Sequence, residues 1–156
     1  MLVQILLVVA PMLLPSHFIK ALPYQGNPAI QVLDEGISIS GEWIEGKAPG
    51  VRLETEPIDV SLHLPQKKGF YLSLKGDGNS YYLRVIVADK VGFLDQIPLR
   101  IKTTGKREKI FVSMDKRLPL VVSTPLAKSE SPLFLLIEPV QKGKFSLQIG
   151  EIEWLN

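Results

Sequence analysis

The chain has 156 residues and no cysteine. That absence excludes a disulfide framework, a Cys-ligated zinc site and thiol catalysis. Histidine is almost as scarce, with only His17 and His63, so a His-cluster metal centre is excluded as well. His63 stands on the polar side of an alternating run and reads as a surface residue. Charge of one sign is also missing. The formal net charge is +2, too little for the broad basic face that a nucleic-acid backbone requires. Lys67-Lys68 and Lys106-Arg107 are short basic clusters and read as solvated loop charges. Nucleic acid is not expected as a partner.

Catalytic motifs are missing too. The chain holds no Gly-x-Ser-x-Gly elbow, phosphate-binding loop, dinucleotide fingerprint or His-Glu-x-x-His helix. A pair of carboxylates can run glycoside hydrolysis. The available ones (Asp59, Asp77, Asp89, Asp95, Asp115, Glu138, Glu151, Glu153) fall in no such motif. No catalytic residue is named, and an enzyme is not expected.

The one long apolar run is Leu2 to Leu14, thirteen residues, short of the roughly 20 that span a bilayer. Pro11 and Pro15 interrupt it further. Its length suits the apolar part of a signal peptide, with Ala21 as a cleavage residue. Residues 1–21 are read as a signal peptide or N-terminal anchor. Leu22 to Ala29, with Pro23, Gly26, Asn27 and Pro28, is read as a linker. Residues 30–156 form one domain of ordinary size. The expected location is exported: periplasmic, envelope-associated or secreted. Membrane contact is expected only through an uncleaved N-terminal segment.

What remains is strand after strand. From Ile30 onward, short runs alternating at period two recur about every ten residues, with turn residues between them. No helical periodicity appears after residue 22. Leu133 to Ile137 is a continuous apolar run, read as a strand buried on both faces. Phe70, Leu72 and Leu74 alternate with Tyr71, Ser73 and Lys75. Then come Gly76, Asp77, Gly78 and Asn79, and Tyr81, Leu83, Val85 and Val87 alternate with Tyr82, Arg84 and Ile86. This reads as a β-hairpin whose glycines supply positive φ. The fold class is all-β: a sandwich of two antiparallel sheets with about ten strands.

The strand ending in Gly76-Asp77-Gly78, the strand opening with Tyr81 and Leu83, and the closing Phe145-x-Leu147-x-Ile149…Ile152 resemble the galactose-binding-like jelly-roll domains. Within them the chain resembles the complex I intermediate-associated protein family (NADH:ubiquinone oxidoreductase assembly) and carbohydrate-binding modules of the same sandwich. The resemblance spans Val51 to Trp154. It departs where Glu108 and Lys109 replace a tryptophan and where Gly150 replaces an aspartate. Such domains often hold a structural calcium between the N-terminal and last strands. For this chain the resemblance implies Asp34, Glu35 and Glu151 as its oxygen ligands.

A sugar-binding sheet needs aromatic faces and polar side chains on one surface. The hairpin offers Tyr71, Ser73, Lys75, Tyr82 and Arg84 on one face, extended by Arg100 and Lys102. The function read from the sequence is a non-catalytic module that binds glycan there. The alternative is an assembly-factor-like role with a partner protein on the same face, and a glycoside-acting enzyme stands third.

Overall fold

The computed structural model describes residues 18–34, 36–55, 68–88, 93–120 and 133–155. Its strands are β1 (Phe18–Gln25), β2 (Ala29–Leu33), β3 (Gly36–Trp43), β4 (Gly50–Thr55), β5 (Gly69–Lys75), β6 (Ser80–Ala88), β7 (Leu94–Lys102), β8 (Arg107–Ser113), β9 (Leu118–Pro119), β10 (Leu133–Pro139) and β11 (Gly143–Leu155). One 3-10 turn, Met114–Lys116, is capped by the Ser113 hydroxyl. The run Ile58 to Leu64, and with it His63, lies outside the described residues.

The strands build two sheets in the orders β1-β4-β10-β6-β7-β9 and β2-β3-β11-β5-β8. Every pairing is antiparallel. Alternate residues of each strand point into one shared core. Leu72 and Leu74 of β5, Leu83 and Val85 of β6, Leu135 of β10 and Leu147 of β11 are all fully enclosed in it. Burying each such side chain contributes about 1.5–3 kcal/mol. β10 lies inside its sheet, paired with β4 on one side and β6 on the other, and of the run read as buried on both faces all but Leu136 are buried.

Two readings are corrected. Residues read as a linker belong to β1, which pairs with β4, and to the turn leading into β2. Ala21, the proposed cleavage residue, sits mid-strand opposite Leu53 and packs against the core. The hairpin is not a hairpin. β5 pairs with β11 and β8, whereas β6 pairs with β10 and β7 in the other sheet. Gly76 to Asn79 carries the chain across the sandwich edge. Period-two alternation tells a residue's side relative to the core, and both strands obey it. It does not tell which sheet a strand joins.

The crossing is held by side chains. Asp77 Oδ1 accepts the Asn79 N–H at 3.0 Å and the Tyr81 hydroxyl at 2.9 Å, while Oδ2 accepts the Ser146 N–H at 2.8 Å. Thr103 Oγ1 accepts the Gly78 N–H at 3.0 Å and donates to the Asn79 carbonyl at 2.8 Å. Gly78 has φ +88°, as the turn chemistry anticipated, and Gly76 is small for another reason: a Cβ there would stand 2.2 Å from Thr103 Cβ.

Candidate functional site

Splitting β5 from β6 splits the expected platform. Tyr71, Ser73 and Lys75 lie on the outward face of the five-stranded sheet. Tyr82, Arg84, Arg100 and Lys102 lie on the outward face of the six-stranded sheet, on the opposite side of the sandwich. Ser73 is also only 8% exposed. The Lys109–Glu153 ion pair (2.6 Å) spans β5 beside it, with Lys109 opposite Ser73 on β8 and Glu153 opposite Tyr71 on β11. Ser73 is therefore not available to hold a ligand hydroxyl.

The six-stranded face carries the richer constellation, and cross-strand register explains it. Glu138 of β10 stands opposite Tyr82 of β6, and Tyr82 opposite Arg100 of β7. On the other side of Glu138, the Tyr24 hydroxyl donates to Glu138 Oε1. Tyr24 reaches it because the intervening position is Gly50. A Cβ at Gly50 would lie 2.4 Å from the Tyr24 ring. Tyr24, Glu138, Tyr82 and Arg100 thus form one row across five strands, about 19 Å at ordinary strand spacing. The next row holds Arg52, Leu136, Arg84 and Pro98 in register.

Electrostatics bind the rows together. Burial pushes the Tyr24 phenol well above its ordinary pKa, helped by the hydrogen bond and charge of Glu138, while Arg84 acts the other way. The phenol therefore stays protonated and donating. The Arg52 guanidinium covers the Phe134 ring at 4.0 Å. Its Nε is 2.6 Å from Glu54 Oε1, a close charge contact without aligned hydrogen-bond geometry. Arg100 lies 5.8 Å from the Tyr82 ring centroid, within cation–π range. Tyr82 remains 46% exposed. The face therefore offers an open aromatic ring beside a carboxylate and guanidinium groups.

Sequence reasoning missed Tyr24, Glu138 and Arg52 as parts of this face. Tyr24 fell in the supposed linker, yet the alternation of Ala21 with Leu22 and Tyr24 carried the strand signal. The calcium positions are described only in part. Asp34 lines a cleft of about 380 Å³ with Gly36, Arg107 and Gly150. Glu151 is exposed, and Glu35 lies outside the described residues. Arg107 brings a cation to the cleft and Gly150 supplies no side-chain oxygen. Among the described residues no three acidic, histidine or cysteine side chains cluster to hold a metal.

No family model matches the chain, and no curated protein matches it by sequence. Solved structures do match by shape. The family 11 carbohydrate-binding module of the cellulosomal cellulase Lic26A-Cel5E of Clostridium thermocellum superposes with a TM-score of 0.62 at 9% identity, covering 92% of each chain. The Clostridium thermocellum family 11 module in complex with a β-1,3-1,4-mixed-linked tetrasaccharide gives 0.58 at 12% identity, covering 88% of each. An agarase, AgWH50C, gives 0.55 at 14% identity over 87% of this chain and 24% of its own. The chain has the jelly-roll fold of these modules. That agrees with the all-β sandwich expected from strand periodicity.

Proposed function

We propose that the chain is a non-catalytic glycan-binding module whose binding surface is the outward face of the six-stranded sheet. The observation that carries this reading is the row Tyr24–Glu138–Tyr82–Arg100. Stacking on sugar C–H faces falls to Tyr82, the more exposed ring of the row. Hydroxyls are held by Glu138 as acceptor and by Arg84 and Arg100 as donors. The row runs across the strands, so an extended oligosaccharide lies over several strands at once. The named carbohydrate-binding modules share the fold, which supports the reading. Export remains part of this reading, since Leu2 to Leu14 has the length of a signal-peptide core.

The test is affinity electrophoresis of the chain through gels containing neutral and acidic polysaccharides. Tyr82→Ala weakens binding roughly tenfold or more, while stability changes little because the ring is exposed. Leu83→Ala does the reverse, costing about 2–5 kcal/mol through a core cavity. Retention by no polysaccharide, or full retention of Tyr82→Ala, overturns the reading.

A protein-contact role, the assembly-factor-like alternative, has one observation in its favour. On the opposite face Tyr71 and Phe111 pair at 5.1 Å between centroids, tilted by 48°, and both are exposed. Tyr71→Ala is neutral for glycan binding if the six-stranded face is the site, and it is the variant that would abolish capture of a partner protein.

A further inference from the structure

The outward sides of β4, β10, β6 and β7 carry the cations Arg52, Arg84, Arg100 and Lys102 and the carboxylates Glu54 and Glu138. Both carboxylates are engaged. Glu54 meets Arg52, and Glu138 accepts from Tyr24. Arg84 lies beside the same phenol. Arg100 and Lys102, two apart on β7 and therefore on the same side, have no carboxylate partner among the described residues. Among the described residues Arg100 lies over the ring of Tyr82, at the outer edge of the distance range for that interaction. Its forked N–H groups are left over.

From this we infer that the Tyr82–Arg100–Lys102 end of the face takes an acidic sugar unit, read through a carboxylate or sulfate group. The inference rests on the glycan reading and deepens it. A neutral sugar offers hydroxyls that both donate and accept, and it is held best by mixed partners. Of these three side chains only the Tyr82 hydroxyl can also accept, and Arg100 and Lys102 offer donors only. An anionic group satisfies them, and a guanidinium grips a two-oxygen anion through paired hydrogen bonds. The exposed Tyr82 ring lies next to the charge, so one sugar ring stacks while its acidic group meets Arg100 and Lys102. Uncharged stretches of the same polymer then run toward Glu138 and Tyr24.

The experiment compares matched polymers on the full chain: polygalacturonate against its methyl ester, and dextran sulfate against dextran. Double-stranded DNA serves as an uncoupled polyanion. The acid form binds roughly tenfold or more tighter than its neutral parent, and the preference shrinks as salt rises from about 0.05 to about 0.5 M. Arg100→Gln and Lys102→Gln each cut that ratio several-fold. Lys109→Gln, on the opposite face, leaves it intact. Which acidic polymer wins tells carboxylate from sulfate. Equal binding of acid and neutral forms overturns the inference and leaves the glycan reading standing. Equal retention on DNA overturns it too, as bare charge attraction. Binding to none of the polysaccharides overturns both.

Discussion

Asp77 Oδ2 accepts the backbone N–H of Ser146 at 2.8 Å, joining residues 69 apart in sequence. The bond ties the β5–β6 crossing, which runs between the two sheets, to β11 of the five-stranded sheet. Asp77→Ala leaves the Ser146 N–H and the Tyr81 hydroxyl without this acceptor. The expected loss is about 1–3 kcal/mol, read from urea denaturation.

The same clamp sets an acid limb. Burial pushes the Asp77 pKa up, but hydrogen bonds from Asn79, Ser146 and Tyr81 outweigh it and hold the pKa below its ordinary 3.8. A depressed carboxylate stabilises the fold above its unfolded pKa, and that contribution is lost as pH falls through the folded value. Its stabilisation is complete at neutral pH and fades below about pH 4. Asp77→Asn flattens this limb in melting curves taken across the acid range.

An alkaline limb mirrors it. Burial first, and then Asp77, push the Tyr81 phenol far above its ordinary 10.0. A raised pKa gives stability that is present below the unfolded value and lost as pH rises. Melting temperature therefore falls above about pH 10, where the unfolded chain ionises and the native Tyr81 does not. Tyr81→Phe reduces that slope while lowering stability at neutral pH. An unchanged slope would count against the Tyr81–Asp77 bond.

The crossing needs its two glycines for different reasons, and substitution separates them. Gly78 has open space around it but φ +88°. Gly78→Val costs about 1–2 kcal/mol and Gly78→Asn less, because asparagine tolerates the left-handed region. Gly76 has no room: Thr103 stands 2.2 Å from where its Cβ would go. Gly76→Ala therefore costs about 1–3 kcal/mol through forced displacement, and Gly76→Asn is no milder. Equal tolerance at both positions in thermal melts would contradict this account.

Gly50 keeps Tyr24 in the row with Glu138, Tyr82 and Arg100. Gly50→Ala drives the Tyr24 ring off the sheet and breaks its bond to Glu138. Ring displacement at the surface lowers stability by about 1 kcal/mol, while glycan retention falls about as far as in Tyr24→Phe. Retention unchanged in both variants would remove Tyr24 from the site.

Much of this architecture was legible from residue order alone. The spacing of Phe70, Leu72 and Leu74 and of Tyr81, Leu83 and Val85 marked strands and their buried sides, because a sheet with one face on the core demands period two. The apolar block Leu133 to Ile137 marked a strand covered on both faces. The proposed binding face was only half legible. Tyr82, Arg84, Arg100 and Lys102 were placed together correctly, since β6 and β7 do pair. Tyr71, Ser73 and Lys75 were joined to them wrongly. Gly-Asp-Gly-Asn looks the same in a hairpin and in a crossing. The partners that decide between the two, Thr103 and Ser146, are distant in sequence. Glu138 became part of a site only through its register against Tyr82, which no local pattern encodes.

The last two strands, β10 and β11, each lie inside a sheet, between β4 and β6 and between β3 and β5. Each inserts between strands made much earlier. A nascent chain stopped before Leu133 holds two half-sheets with exposed inner edges, so the ribosome must release most of the sequence before either layer closes. Folding of this kind is dominated by distant pairings and is slow. During that interval the open edges of β4 and β6, and of β3 and β5, are exposed to aggregation.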